Sequence, residues 1–168
     1  MTEDGRRLKF LNVVDEHTRE CVALDVGRHF KAEDVIAVLA RQLKARGAPE
    51  NIRSDNGPEF IARAVRGWLE QEGIATAYIA PGAPWENALI ETFNGKLRDE
   101  LLNREVFETM AEARHLAAYL RDYNHHRPHS SLDYMSPAAY AALCASSGAA
   151  SRRLRRHRAV TQQPVRLS

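Results

Sequence analysis

The feature that most constrains how this chain folds is a carboxylate that follows a short predicted strand and lies in a sharp turn. Asn51–Ser54 is the predicted strand, and Asp55 leads from it into the turn-forming residues Asn56, Gly57 and Pro58. The strand fixes the position of this carboxylate and the turn exposes it to a cleft, which favours a role as a metal ligand. The alternative is that Asp55 only stabilises its own turn, because Asp and Asn are favoured in turns.

A second carboxylate, Glu91, follows after 35 intervening residues and lies in a segment with helical periodicity. Large apolar residues recur every four positions here, and we expect them to form the buried stripe of a helix: Leu89, Phe93, Leu97 and Leu101. At about 100° per residue, Asn87, Asn94 and Arg98 are expected on the opposite, exposed face together with Glu91.

Such an exposed face suits phosphodiester chemistry, because a carboxylate binds a divalent cation and an arginine reaches a nucleic-acid backbone. The alternatives are that Glu91 is an ordinary solvated helix carboxylate and that Arg98 forms a surface ion pair with Glu91 or Asp99, which would stabilise little.

Together these motifs resemble the catalytic core of DDE transposases and retroviral integrases. The resemblance rests on Ser54–Phe60 (Ser-Asp-Asn-Gly-Pro-Glu-Phe), on the 35 residues between Asp55 and Glu91, and on the basic Arg98 seven positions later. The segment Tyr123–Leu132 resembles the tail motif of the bacterial insertion-sequence branch, and the pattern extends in order from residue 6 to about residue 142.

The resemblance implies a ribonuclease-H-like α/β fold, a mixed sheet with flanking helices, and metal-dependent hydrolysis and strand transfer of DNA phosphodiesters. Asp55 and Glu91 would be the catalytic ligands of a two-metal Mg²⁺ or Mn²⁺ site. Arg98, Asn94 and Lys96 would contact DNA, with Lys96 ranked last because its helical phase lies away from Glu91. The expected partners are DNA (transposon ends and target) and further copies of the chain or full-length transposase.

The family uses three carboxylates, and only two stand at matching positions. Asp15 ends a segment that matches the second strand of the family, so we expect it to cap the polar turn that follows it. The first catalytic Asp would lie on a strand that ends before Asp4, so the first, central strand is expected to be missing. The Arg6–Val14 strand and the strand before Asp55 would then each have an unpaired edge whose backbone groups need other partners. Another chain would supply a strand, the two halves would close up in a way unlike the family, or the domain would be marginal. Expressed alone, the chain is expected to be poorly soluble or to aggregate.

This expectation leaves two other functions open. One is a non-catalytic transposase remnant that binds DNA or full-length transposase. The other is a structure-dependent nuclease of the same fold, which also needs the third carboxylate.

The remaining patterns alternate strands with helices, as in α/β proteins. The predicted strands are Arg6–Val14, Glu20–Val26 and Thr76–Ile79. The predicted helices are Ala32–Arg46, Ile61–Glu72, one that begins at the capping box Thr109–Glu112 and runs to about Tyr123, and one from Ser136 to about Leu143. The resemblance implies that the Tyr123–Leu132 motif packs against the core near the active site, so we expect it to have a structural role. Its histidines lack acidic or thiol partners at zinc spacing, which disfavours a metal site.

The charge distribution separates a catalytic core, residues 1–143, from a basic tail, residues 144–168. Six of the 24 basic residues are arginines after residue 151 and none of the 22 acidic residues is, so residues 1–150 carry a formal net charge of −4. The tail has no packing pattern and is expected to be disordered. Its arginines would also bind phosphates. Cys21 and Cys144 are expected to be free thiols, and the absence of a long apolar run predicts a cytoplasmic, nucleoid-associated protein without a membrane partner.

Overall fold

The strand β1 (Lys9–Asp15) organises the sheet because its residues are apolar on both faces. Phe10 and Val14 are buried on one face, and Leu11 and Val13 are buried on the other. A strand that is buried on both faces belongs in the middle of a three-layer α/β arrangement rather than at a solvent-exposed surface.

The computed structural model describes residues 9–54, 63–78, 88–102, 113–146 and 158–163. The first half of this part comprises β1, β2 (Cys21–Gly27), α1 (Ala32–Arg46), β3 (Asn51–Ser54), α2 (Arg63–Gln71) and β4 (Ala75–Tyr78). The second half comprises α3 (Ala88–Leu97), which continues into a π-helical turn (Arg98–Leu102), α4 (Ala113–His125), a 3-10 turn (Ser130–Leu132), α5 (Pro137–Ser146) and β5 (Arg158–Gln163).

The five strands form one mixed sheet in the order β2-β1-β5-β3-β4. β1 pairs antiparallel with β2 and with β5, whereas β3 pairs parallel with β4 and with β5. The C-terminal strand β5 therefore lies at the centre of the sheet.

The position of β5 corrects two expectations. The tail was predicted to be disordered, but residues 158–163 form a strand, and α5 continues to Ser146. The edges of β1 and β3 were predicted to be unpaired, but β5 pairs with both. The physical reason is that unpaired backbone groups on two neighbouring strands are satisfied by any extended segment that can reach them. Residues 147–157 and 164–168 lie outside the described residues.

Two layers of helices cover the sheet. On one face, α1 and α2 pack over Leu11, Val13 and Ile52. On the other face, α3 and α4 pack over Phe10 and Val14. This second layer carries Glu91 and therefore determines the position of the candidate site.

The predicted elements agree with the observed ones to within about three residues where both can be compared. The predicted bounds of α1 and β3 are confirmed without change. The predicted capping box at Thr109–Glu112 and residues 6–8 of the first predicted strand lie outside the described residues. In the described part of the chain, no helix is long and apolar enough to span a membrane.

Candidate active site

The predicted metal ligand Asp55 directly follows Ser54, the last residue of β3. Asp55 itself lies outside the described residues. Ser54 is buried, and β3 is hydrogen-bonded to β5 on one side and β4 on the other. The last described residue before Asp55 therefore lies in the interior of the sheet.

Helix α3 carries the second predicted ligand, Glu91. The helix buries Ile90, Phe93 and Leu97 against the sheet and also contacts β5. Glu91 is exposed and forms no ion pair with any described residue. Because β5 pairs with β3, the helix of Glu91 lies over the strand next to the one that leads into Asp55.

The prediction that Asn94 lies on an exposed face was wrong, and its predicted contact with DNA stays a prediction. Asn94 is 2% exposed, and its Oδ1 accepts a hydrogen bond from Nδ2 of Asn12 on β1. The buried arc of α3 follows the i, i+3, i+4, i+7 pattern through Ile90, Phe93, Asn94 and Leu97, so Asn94 lies at its edge. A polar residue is tolerated there because it has a buried partner.

Arg98 is the first residue of the π-helical turn that continues α3. Its side chain is partly buried, and its Nε is buried with no hydrogen-bond partner in the described part of the chain. π-helical turns within α-helices are frequent at functional sites. A buried N–H group without a hydrogen-bond partner indicates a position where a polar ligand can bind. Arg98 follows Glu91 by seven residues, so the two side chains differ by only about 20° in helical phase.

The segment Tyr123–Leu132 has the structural role that its sequence predicted. Asn124 accepts a hydrogen bond from the Cys21 backbone N–H (2.9 Å) and donates one to the Cys21 carbonyl (2.9 Å). The ring of Tyr123 packs edge-on against Phe93 and His129, with 5.0 Å between ring centroids in each pair. This segment therefore fastens α3 and α4 to strand β2.

Two further contacts of this region involve charged groups. The Arg127 guanidinium forms a two-point ion pair with the carboxylate of Glu100, which raises the pKa of the arginine further above its ordinary range. His129 is 8% exposed, and its burial together with the nearby cations Lys96, Arg127 and Arg19 lowers its pKa to about 4. His129 is therefore neutral at pH 7.

Asp15 caps a turn, as expected, and its Oδ1 accepts hydrogen bonds from the backbone N–H groups of His17 and Thr18, both at 2.9 Å. Cys21 and Cys144 are free thiols, and burial raises the pKa of the Cys21 thiol well above its ordinary value. Within the described residues, His, Cys, Asp and Glu do not form a group of three that could hold a metal ion.

Lys96 lies apart from Glu91 and lines a cavity that also contains Arg19, His129 and Tyr134. Sequence reasoning did not identify Arg19 or Tyr134. Both residues have a left-handed backbone conformation, with φ 63° for Arg19 and φ 61° for Tyr134. The residue types arginine and tyrosine do not predict this conformation.

Comparison with known proteins identifies relatives along most of the chain. Two family models, both described as an integrase core domain, match residues 1–84 and 72–137. An uncharacterized 31.7 kDa protein of insertion element IS407 from Burkholderia multivorans is 45% identical over 140 residues, which are 83% of this chain and 50% of that protein. An uncharacterized 39.2 kDa protein of insertion element IS476 from Xanthomonas euvesicatoria is 46% identical over 140 residues, 83% of this chain and 40% of that protein.

A third relative has a more specific name. The transposase for insertion sequence element IS904 from Lactococcus lactis is 36% identical over 88 residues, 51% of this chain and 35% of that protein. This chain thus spans half or less of the length of these relatives.

Solved structures share the fold at low sequence identity. The simian T-cell lymphotropic virus intasome in complex with PP2A regulatory subunit B56 gamma matches with a TM-score of 0.62 and 19% identity, over 76% of this chain and 46% of that chain. The magnesium complex of the HTLV-2 integrase catalytic core domain in its dimeric form matches with a TM-score of 0.51 and 16% identity, over 77% of this chain and 81% of that chain. These matches show the ribonuclease-H-like fold that the motifs implied.

Proposed function

This chain belongs to the integrase core domain family, and from that premise we propose that it is the catalytic core of a bacterial insertion-sequence transposase. Its reaction would be the metal-dependent hydrolysis of DNA phosphodiesters followed by strand transfer. The observation that supports this best is the exposed carboxylate of Glu91, which forms no ion pair with the described residues. It lies on a helix over the centre of the sheet, beside the strand that leads into Asp55.

The residues fit a divalent cation, and we propose Asp55 and Glu91 as its ligands. Carboxylate oxygens are the ligands that Mg²⁺ and Mn²⁺ prefer. The unpaired state of Glu91 among the described residues supports this assignment, because a carboxylate committed to an ion pair is a poorer ligand. A bound pair of cations would stabilise the attacking and leaving oxygens of the displaced phosphodiester.

Arg98 is the residue that we propose to position DNA. Its phase on α3 is close to that of Glu91, and a guanidinium with an unsatisfied N–H matches the oxygens of a phosphate. DNA is then the substrate, at transposon ends and at the target, and further copies of the chain or full-length transposase are the proposed protein partners.

One observation favours a second candidate function. β5 has the sequence Arg-Ala-Val-Thr-Gln-Gln, so the central strand carries no carboxylate. Two carboxylates alone neutralise a two-metal site poorly. A non-catalytic protein that binds DNA or full-length transposase is therefore the alternative.

An assay with Mn²⁺ and labelled DNA ends separates these functions. The catalytic proposal predicts cleavage or strand-transfer product from the full chain and no product from Glu91→Gln. Glu70→Gln removes an exposed carboxylate from α2, away from α3, and should leave the product unchanged. Equal product from Glu91→Gln contradicts the proposal, whereas DNA binding without product from the unaltered chain supports the second candidate.

A further inference from the structure

A cavity of about 820 Å³ lies between α3, the turn that joins β1 to β2, and the turn that follows α4. Its lining includes two basic side chains, Arg19 and Lys96, and two aromatic rings, His129 and Tyr134. Glu91 is not among its described lining residues, but its neighbour Thr92 is, so the cavity borders the helix that carries the proposed catalytic carboxylate.

The wall of this cavity carries positive charge that the described residues do not neutralise. Of its basic side chains, Arg53 is paired with Glu16 at 3.5 Å. Arg19 and Lys96 have no acidic partner in the described part of the chain, and the Nε of Arg19 is buried without a hydrogen-bond partner there. Uncompensated cations in a concave, partly buried site attract an anion.

His129 lines the same cavity and adds a second geometric observation. Its ring is more than nine-tenths buried, and its Nε2 has no hydrogen-bond partner among the described residues. Lys96, Arg127 and Arg19 all act on it and oppose its protonation. A buried polar atom without a partner next to unpaired cations indicates a site that a polar ligand completes.

The backbone of Arg19 adopts a left-handed conformation that is uncommon for a residue other than glycine. Arg19 has φ 63° and closes the turn in which its N–H donates to the Asp15 carbonyl at 2.8 Å. Glycine adopts this conformation without steric cost, whereas arginine is strained in it. Strained residues cluster at active sites and ligand-binding sites, where the surrounding structure holds them in place.

Tyr134 adds an aromatic surface at the rim of the cavity. It is 76% exposed, and two consecutive left-handed residues, Asp133 (φ 52°) and Tyr134 (φ 61°), set its position. Its backbone N–H donates to the His129 carbonyl at 2.9 Å, which fixes the turn. An exposed aromatic ring beside a basic groove is the combination that binds single-stranded nucleic acids by stacking and charge.

We propose that this cavity binds a backbone phosphate of a single-stranded nucleic acid, with Arg19 and Lys96 on the phosphate and Tyr134 stacked on an adjacent base. Anion binding by this cavity is inferred from its geometry. The assignment of that anion to a nucleic acid rests on the proposed function. The cavity extends the substrate contacts from α3 to Arg19 and Tyr134, which lie in the turns beside that helix.

Fluorescence anisotropy with the full chain, a labelled single-stranded oligonucleotide and EDTA tests this assignment without any metal-dependent step. Arg19→Gly and Lys96→Gln should each weaken binding roughly threefold to tenfold and lower the salt slope by about 0.7. Tyr134→Ala should weaken binding to the single strand more than binding to a duplex of the same sequence. Arg19→Gly should also melt at the same or a higher temperature, because glycine relieves the strain.

Lys44→Gln is the matched control, because it removes an exposed lysine from α1 on the opposite face of the sheet. Unchanged affinity and slope in Arg19→Gly and Lys96→Gln, or an equal loss in Lys44→Gln, overturns the proposal. Binding of inorganic phosphate that depends on Arg19 and Lys96, without any effect of these residues on the oligonucleotide, overturns its assignment to nucleic acid. Because EDTA removes divalent cations from this assay, a failure of the catalytic proposal does not alter its result.

Discussion

Asn12 on β1 donates a hydrogen bond from its Nδ2 to Oδ1 of Asn94 on α3, and both side chains are almost completely buried. The bond joins residues 82 positions apart and lies on the same face of the sheet as Phe10 and Val14. It fixes the rotation of α3 about its axis, because turning the helix would leave two buried amides without partners. The exposed position of Glu91 follows from that rotation.

Removing one member of this pair should destabilise the fold. Asn94→Leu keeps the branched shape of the side chain but removes the acceptor of the Asn12 hydrogen bond, and we expect a loss of about 1–3 kcal/mol in the free energy of unfolding. The double variant Asn12→Leu/Asn94→Leu removes both polar groups and should recover most of this loss. Urea denaturation of the four proteins measures the coupling.

Gly95→Ala is the control for the Asn12 and Asn94 variants. Gly95 lies next to Asn94 in α3, and a Cβ there would meet nothing within 4 Å. Gly95→Ala should stabilise the protein by about 0.5–1 kcal/mol. Additive losses in the two single asparagine variants would contradict the coupling.

Asn124 should be important for stability although it lies in a motif that resembles a functional signature. Its side chain makes two hydrogen bonds to the backbone of Cys21 on β2. Asn124→Ala leaves both backbone groups without their partner and should destabilise the chain by about 2–3 kcal/mol, measured by thermal or urea denaturation. The adjacent His125 is exposed, so His125→Ala should change stability by less than about 0.5 kcal/mol. Similar losses in the two variants would contradict this role of Asn124.

His129 should make the fold sensitive to acid. Its pKa in the folded state is about 4, below its ordinary value, so between pH 6.5 and 4 the unfolded chain binds a proton that the folded chain does not. Stability should therefore fall as the pH decreases through this window, by up to about 1.4 kcal/mol per pH unit. Denaturation at several pH values should show a smaller loss in His129→Gln than in the unaltered chain. The exposed His125→Gln serves as the control, and equal pH dependence in all three proteins would contradict the prediction.

Because β5 lies at the centre of the sheet, we expect its backbone N–H groups to be essential for the stability of the fold. Val160 pairs with Val13 of β1. Val160→Pro removes a donor and places a ring within the sheet, so we expect a loss of at least about 2 kcal/mol together with aggregation. Val165→Pro, which lies beyond β5, keeps the same composition and charge and serves as the control. Hydrogen exchange of β1 and β3 should accelerate only in Val160→Pro. Unchanged exchange there would show that β5 does not occupy the sheet in solution.

The elements that the sequence predicts well are those whose own pattern determines them. α1 has a periodic apolar stripe with a glycine after its last residue, and β3 is followed by strong turn residues, so local chemistry defines both. Glu91 was correctly predicted to be exposed on a helix for the same reason.

The features that the sequence did not predict depend on distant partners. Asn94 is polar, and its burial depends on Asn12, which no local pattern reveals. β5 contains Arg, Thr and two Gln, unlike the apolar runs of most central strands, and its pairing is determined by the edges of β1 and β3. The basic cavity combines residues from three parts of the chain, which only the fold brings together.

The most direct test of the central claim, that Asp55 and Glu91 hold a divalent cation, is a titration of the full chain with Mn²⁺ followed by calorimetry or electron paramagnetic resonance. The unaltered chain and Glu70→Gln should bind Mn²⁺ equally, whereas Asp55→Asn and Glu91→Gln should each weaken binding by at least about tenfold. Equal Mn²⁺ binding by all four proteins would contradict the claim.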